Sequence, residues 1–313
     1  MSADAGDWLD SGREIACLFP LDMSGDVIVL RVGIDAGKPD SGILSVAGVA
    51  FGYDRAVKAN AKWARLMKGR TFHMTDLHAR QGDFKDISDS EVSEIMHGVV
   101  GIIRKYSSYF VAVSCDADLV AGQLPEDANP DADSREMRNA FRSPYGVMCH
   151  LCMYAFGQFS RRNGVSKNSI SYVLEAGDDG QKGLLRFMRF IEDSSNAKAL
   201  MDGYSYARLT ITPKGELEGL FHAADFIAWE WSRHVDRHRS NAKMRKSLAV
   251  LTGESHLIED KFGLTLGDPD NYFFRHYNEQ NMERVARLAR GLIEAKTNTE
   301  LNQTINQWHE SRP

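Results

Sequence analysis

The sequence predicts a mixed-sheet α/β domain followed by a helical C-terminal extension, and three observations support this fold class. Short runs of β-branched and other apolar residues, each of strand length, recur over residues 26–240. The first two runs are separated only by turn-forming residues, which is typical of a β-hairpin. The later runs alternate with segments of helical pattern, which indicates a sheet covered by helices.

The elements follow from these patterns in chain order. We predict strands over residues 27–34, 43–51, 71–75, 109–114, 170–174 and 204–211. We predict helices over residues 53–67, 88–106, 144–162, 180–192 and 220–238. A capping box from Ser88 to Glu91 opens the second helix. Residues 116–136 combine seven acids with one arginine and two prolines, which favours a loop.

The two ends of the chain lie outside this domain. Residues 1–25 have no regular pattern and are interpreted as an N-terminal extension. Residues 241–313 contain helical stretches at 242–250 and 281–308, and we interpret them as a helical extension packed on the domain. The chain of 313 residues is 43% hydrophobic, which is enough to bury a substantial core.

The charge and the cysteines restrict partners and location. The formal charge of −5 excludes a general positive field, so any contact with nucleic acid must come from a local patch. The first residues carry acids instead of Lys or Arg, and no apolar run of about 18 residues occurs, so we expect neither a signal peptide nor a membrane partner. Four cysteines without the spacing of a disulfide framework favour a reducing compartment. We therefore predict a cytoplasmic protein.

Three carboxylates stand where an apolar element ends or where a buried helix should have none. Asp35 and Glu175 each follow a predicted strand, and binding groups collect at strand ends in α/β sheets. The structural alternatives are a turn aspartate and a loop glutamate. Asp225 lies in a helix that is apolar nearly all round, where a lone carboxylate is costly unless it is paired or bound. A salt bridge to a distant Arg or Lys is the structural alternative there.

These three carboxylates suit one kind of chemistry. Carboxylate oxygens are the hard ligands that Mg²⁺ and Mn²⁺ prefer. Two such ions bridged by an aspartate would activate water and stabilise the leaving oxygen in phosphodiester hydrolysis. The hypothesis is that Asp35, Glu175 and Asp225 are metal ligands of a catalytic centre.

Four segments, taken in order, resemble the bacterial and phage family called domain of unknown function 3800. They are Ile34–Gly37, Phe72-His73, Glu175 and Leu220–Ala228. The family motifs read roughly Asp-Glu-Ser-Gly, Phe-His and Leu-Gln-x-Ala-Asp-Leu-x-Ala. The similarity covers about residues 26–238, and the last motif is the most specific. The resemblance implies a ribonuclease H-like fold with a metal-dependent, nuclease-like centre.

The resemblance also implies a role for His73 and shows two departures. His73 matches the histidine of the Phe-His motif and is a candidate to position water or to act as acid or base, with Asp76 close behind it. A structurally satisfied histidine at a strand end is the alternative. Ala36 stands in place of the family's Glu and His222 in place of its Gln. The missing Glu leaves Asp35 as the acid of the first motif.

A basic segment, residues 233–246, follows the Asp225 motif. It holds six Lys and Arg residues and one acid. We predict that Arg237, Arg239, Lys243 and Arg245 contact nucleic-acid phosphates. A solvated helix face is the alternative.

The sequence therefore predicts a Mg²⁺- or Mn²⁺-dependent nuclease or phosphodiesterase acting on nucleic acid. The alternative is a catalytically degenerate module of the same fold that binds nucleic acid or protein, which the missing Glu at position 36 would allow. DNA and RNA are equally compatible with the sequence, as are a protein partner and a homo-oligomer.

Overall fold

The protein is an α/β structure built on one eight-stranded mixed sheet. The computed structural model describes residues 30–37, 42–121, 143–165, 169–177, 181–193, 204–212, 218–253, 257–260, 263–268, 270–294 and 303. The strands are β1 (Leu30–Gly37), β2 (Ile43–Gly52), β3 (Tyr109–Asp116), β4 (Ile170–Glu175), β5 (Tyr206–Thr212), β6 (Ile258–Asp260), β7 (Gly263–Asp268) and β8 (Tyr272–Tyr277). The helices are α1 (Tyr53–Met67), α2 (Met74–Ala79), α3 (Asp89–Tyr106), α4 (Asp118–Ala121), α5 (Pro144–Arg162), α6 (Gln181–Asp193), α7 (Glu218–Arg239), α8 (Lys246–Thr252) and α9 (Glu279–Glu294).

The strand order across the sheet is β5-β4-β1-β2-β3-β8-β7-β6. The predicted hairpin is confirmed, because β1 pairs antiparallel with β2, which pairs antiparallel with β3. Strand β4 pairs parallel with β1, and β5 pairs parallel with β4. Strand β8 pairs parallel with β3, and β7 and β6 follow antiparallel. The sheet is therefore mixed, as the sequence predicts.

Different helices cover the two faces of the sheet, since successive side chains of a strand point to opposite faces. Val32 and Ile34 of β1 pack with α5 and α6 in what we call the first core. Ala47 and Val49 of β2 pack with α1, α3 and α7 in the second core. Half of the predicted capping box is present at α3: the Ser88 hydroxyl accepts a hydrogen bond from the Glu91 amide, while the Glu91 carboxylate pairs with Arg70 at 2.9 Å.

The prediction that residues 241–313 form a helical extension is wrong in part. Helices α8 and α9 lie within this range, but β6, β7 and β8 between them continue the sheet. The physical reason is the edge of β3, whose backbone groups need a partner and find one in the aromatic-rich strand β8. The predicted N-terminal extension, residues 1–25, lies outside the described residues, as does most of the predicted loop at 116–136.

The predicted strand at residues 71–75 is also wrong. Residues 71–73 are irregular, and helix α2 begins at Met74. The Asp225 carboxylate accepts a hydrogen bond from the Met74 amide, which satisfies a donor that a helix start leaves without a partner. A contact 151 residues distant thus favours helix over strand. Among the helices in the described part of the chain, none is long and apolar enough to cross a membrane.

Helix α7 approaches β1 closely because position 33 is glycine. A Cβ atom added to Gly33 would lie 2.4 Å from Cγ of Leu220, in the first turn of α7. The close approach brings the N-terminal half of α7, with Asp225, to the strand that carries Asp35.

Substitution of Gly33 tests this packing. Because the added methyl group overlaps Leu220, Gly33→Ala should lower the free energy of unfolding by about 1 to 3 kcal/mol in urea denaturation. Gly101→Ala is the matched control, because its added Cβ meets no atom within 4 Å on an exposed position of α3. The control should gain roughly 0.5 to 1 kcal/mol from helix propensity. Equal stability of Gly33→Ala and the wild type would contradict the packing argument.

Candidate active site

Asp35 and Glu175 lie side by side on neighbouring parallel strands: Glu175 ends β4 as predicted, whereas β1 continues for two residues beyond Asp35 because its pairing with β2 extends to Gly37. Ile34 of β1 pairs with Leu174 of β4, and the two acids are the next residues on each strand. Ile34 and Leu174 point into the first core. By alternation, Asp35 and Glu175 point to the opposite face, where α7 lies. The sheet thus places the two acids side by side at the carboxyl ends of β1 and β4.

Asp225 reaches the same place from α7. One of its carboxylate oxygens, Oδ2, accepts a hydrogen bond from the Met74 backbone N–H at 2.7 Å. This bond joins α7 to the start of α2 and places His73, Thr75 and Asp76 beside Asp225. Asp225 itself is partly exposed.

One open cavity of about 360 Å³ collects all of these side chains. Its lining includes every catalytic candidate from the sequence, together with Thr75 and a fourth acid, so that the polar set is Asp35, His73, Thr75, Asp76, Glu175 and Asp225. The backbone at the end of β1 is held as well, because the Ala36 amide donates a hydrogen bond to Asp35 Oδ1 at 2.8 Å. Sequence reasoning missed Thr75, whose place in the cavity follows from the start of α2.

Negative charge is crowded in this cavity. Burial, reinforced by the Glu175 and Asp76 carboxylates, raises the pKa of Asp225 from 3.8 to about 6. The Met74 amide and the His73 side chain act in the opposite direction without cancelling the increase. A group with this environment is half-protonated near pH 6, whereas an ordinary aspartate is fully ionised there.

The structural alternative for Asp225, an ion pair, finds no support in the described residues. None of the ion pairs found there includes Asp225, and no Lys or Arg contributes to its pKa. His222, one turn earlier on α7, is buried with its ring 5.7 Å from the rings of Trp63 and Phe72. Burial, with the nearby His73, lowers the pKa of His222 to about 3, so this ring is neutral at pH 7.

The donor set fits a hard divalent cation in its chemistry. The cavity offers carboxylate oxygens from four acids, the ligand type that Mg²⁺ and Mn²⁺ prefer. The raised pKa of Asp225 reflects burial first and the neighbouring carboxylates second, and a bound cation would offset both effects. As the side chains stand, no three His, Cys, Asp or Glu residues of the described chain are arranged to hold a metal ion. Side-chain adjustment would therefore accompany cation binding.

The basic segment does not line this cavity. Arg239 pairs with Asp116, with Nη1 and Nη2 at 2.8 and 2.9 Å from its two oxygens. Arg245 pairs with the buried Glu230 at 3.1 Å and lies 4.6 Å from the centre of the Trp229 ring. Both of these arginines thus have structural partners.

Arg237 and Lys243 are the members of the predicted contact set that take part in none of the ion pairs found in the described residues. The Arg237 Nε donates to the Lys243 carbonyl at 2.9 Å, which joins the end of α7 to the following turn. Both side chains are exposed. Arg237 lies twelve residues after Asp225 on α7, or roughly 18 Å along the helix axis.

No protein-family model matches this sequence, and no curated protein matches it significantly. The resemblance of the four motifs therefore stays a prediction.

Replacement of Asp225 by asparagine tests the charge crowding. A pKa raised in the folded state means a stability cost that is absent below about pH 4 and grows as the pH rises through about 6. Asp225→Asn retains an acceptor for the Met74 amide and removes the charge. It should therefore increase the free energy of unfolding by about 1 to 2 kcal/mol at pH 7, and by almost nothing at pH 4.

The measurement is urea denaturation at both pH values in the presence of EDTA. Asp54→Asn, on an exposed position in the first turn of α1, is the control; it should not be stabilised at either pH and should lose at most about 0.3 to 1 kcal/mol at pH 7, the helix-dipole contribution of its charge. A loss of stability for Asp225→Asn at pH 7 would mean that the carboxylate has a cationic partner, and the crowding argument would fail.

Proposed function

We propose that this protein is a Mg²⁺- or Mn²⁺-dependent phosphodiesterase that acts on nucleic acid. The observation that carries the proposal is the convergence of acids from β1, α2, β4 and α7 in one open cavity. These acids are far apart in sequence, and the cavity lies where two parallel strands end, the usual place of ligand sites in α/β sheets.

The sheet supports a ribonuclease H-like assignment for the main part of the fold. Strands β1 to β5 follow the order 3-2-1-4-5, with the first three antiparallel and the last two parallel to β1. The remaining strands extend the sheet beyond β3. The candidate acids lie on the neighbouring strands β1 and β4 and on α7, which packs against β1 and β2.

Asp35, Glu175 and Asp225 are the residues that would hold the cation, with Asp76 close by. When bound, the cation would supply Lewis acidity and an activated water for in-line phosphodiester hydrolysis. Asp225 binds a cation only when it is ionised, so cation binding should weaken as the pH falls through the pKa of about 6 that it has in the cation-free protein. His73 is exposed at the cavity and is placed to accept or donate a proton as the leaving oxygen departs.

The exposed cations Arg237 and Lys243 are proposed to hold the substrate backbone beyond the cavity. At about 18 Å from Asp225, they suit a strand that extends several nucleotides from the cleavage point. Arg239 and Arg245 belong to the same surface, although each has a carboxylate partner.

Carboxylate variants test the catalytic proposal. Asp35→Asn, Glu175→Gln and Asp225→Asn should each lower the rate of Mn²⁺-dependent oligonucleotide cleavage by about 100-fold or more, because each removes a charge from the metal site. Labelled DNA and RNA oligonucleotides, single- and double-stranded, provide the assay. Asp54→Asn should cleave like the wild type. Since Asp225→Asn is expected to be the more stable protein, its loss of activity would not reflect unfolding.

The degenerate binding module is distinguished by the same assay. Ala36 in place of an acid, together with the absence of a preformed three-ligand group in the described residues, favours this second candidate. If the wild type binds oligonucleotides but does not cleave any of them with Mn²⁺ or Mg²⁺, the enzyme proposal is wrong and the module is correct.

Salt dependence tests the exposed cations separately from catalysis. The double variant Arg237→Gln/Lys243→Gln should bind a labelled oligonucleotide more weakly in Ca²⁺ and reduce the slope of log K against log salt by roughly 1.4 to 1.8, the value for two phosphate contacts. Arg55→Gln/Lys58→Gln on α1 makes the same charge change on an exposed helix and should leave the slope unchanged. Equal slopes for all three proteins would show that the basic segment is only a solvated surface and that the predicted phosphate contacts are wrong.

A further inference from the structure

A second cavity lies on the opposite face of the sheet from the acidic one. It occupies about 280 Å³ between α5 and the strands β3 and β8. Alternation along β8 directs Phe273, Arg275 and Tyr277 to this face, where they meet Tyr154 and Gln158 of α5. Its lining contains four aromatic rings and two arginines, and none of its described lining residues is an acid.

Arg275 is the central feature of this cavity. It is 5% exposed, and within the described structure neither Nε nor Nη2 of its guanidinium has a hydrogen-bond partner. Its charge is only partly compensated by the ring of Tyr277, whose centre lies 5.4 Å from the guanidinium carbon. A buried cation with open donors is unfavourable unless an anion joins it.

Further donors line the same cavity. The side-chain amide nitrogen of Gln158 is buried without a hydrogen-bond partner in the described part of the chain. Arg162, an exposed residue of the lining, lies beside the Tyr109 hydroxyl. Burial raises the pKa of Tyr109 and of Tyr277 to about 12, so both hydroxyls remain protonated and can donate. The lining therefore carries unpaired buried donors on Arg275 and Gln158 and an exposed guanidinium on Arg162.

One acid acts on this region from outside the lining. The Asp268 carboxylate contributes to the raised pKa of Tyr109. Its oxygens already accept hydrogen bonds from the Asp270 amide and from the Asn271 side chain in the β7–β8 turn. It does not form an ion pair with either lining arginine among the pairs found in the described residues.

We propose that this cavity binds a nucleoside monophosphate. Two guanidinium groups suit a phosphate dianion, for which Arg provides the most specific donor geometry. The aromatic side chains of Tyr109, Tyr154, Phe273 and Tyr277 suit a flat base. The volume is near the lower end for small-molecule sites, roughly 300 to 1,000 Å³, which excludes a long oligonucleotide. This site is independent of the acidic cavity and of any cleavage there.

Calorimetric titration with UMP and AMP tests the proposal on the full chain. The buffer contains EDTA, so that metal-dependent binding at the acidic cavity does not contribute. We expect saturable binding of at least one of these nucleotides, and binding at least tenfold weaker for uridine, adenosine and inorganic phosphate, because each lacks either the anion or the ring. Absence of nucleotide binding, or equal binding of inorganic phosphate, would overturn the proposal.

Variants of the two arginines identify the site. Arg275→Gln should weaken nucleotide binding tenfold or more, and Arg275→Lys should weaken it less because it retains the charge. Arg162→Gln, at an exposed position, provides a second variant with little risk to folding. Arg104→Gln on α3, an exposed position of the other face, should bind like the wild type.

Thermal unfolding separates a ligand site from a structural role. Removal of an uncompensated buried charge should leave the Tm of ligand-free Arg275→Gln equal to or higher than that of the wild type. UMP or AMP should then raise the Tm of the wild type but not of this variant. A fall in the ligand-free Tm together with unchanged nucleotide affinity would show that Arg275 is structural, and the proposal would be wrong.

Discussion

The candidate active site depends on one hydrogen bond, from the Met74 backbone amide to the Asp225 carboxylate. This bond joins the short helix α2 to the long helix α7, and Gly33 allows α7 to lie close against β1. The parallel pairing of β1 and β4 then places Asp35 and Glu175 side by side in the cavity that Asp225 lines. A change at this bond would therefore move His73 and Asp76 as well, although neither belongs to α7 or to the sheet.

The sheet separates two cavities of opposite chemistry. The face covered by α7 carries crowded acids, and the face covered by α5 carries a buried guanidinium among aromatic rings. Because side chains alternate along each strand, neighbouring residues of one strand serve different faces. Ile34 and Asp35 on β1, and Phe274 and Arg275 on β8, illustrate how one residue fills a core while the next lines a cavity. A chain of net charge −5 thus presents both a cation-attracting and an anion-attracting cavity.

The sequence predicts what depends on local pattern. The hairpin of β1 and β2, the helices α5 and α7, and the strand-end position of Glu175 follow from apolar runs and turn residues, whereas β1 extends two residues beyond Asp35. Contacts between residues that are distant in sequence cannot be predicted from such local patterns. The start of α2 depends on Asp225, and the formation of β6, β7 and β8 depends on the edge of β3. The second cavity could not be predicted from the sequence for the same reason, because Arg275 joins its lining only when β8 pairs with β3.

The structural role of Asp225 requires a hydrogen-bond acceptor but does not require a negative charge. At the start of α2, Asp225 accepts a hydrogen bond from one backbone amide, and the side-chain oxygen of asparagine can do the same. A negative charge at a helix start adds about 0.3 to 1 kcal/mol at most exposed sites. That gain is smaller than the cost implied by a pKa raised to about 6, which burial and the Glu175 and Asp76 carboxylates impose. The net effect of the charge on the cation-free fold is therefore unfavourable. A carboxylate in this position contributes favourably only when positive charge enters the cavity, which is the condition that a divalent cation would satisfy.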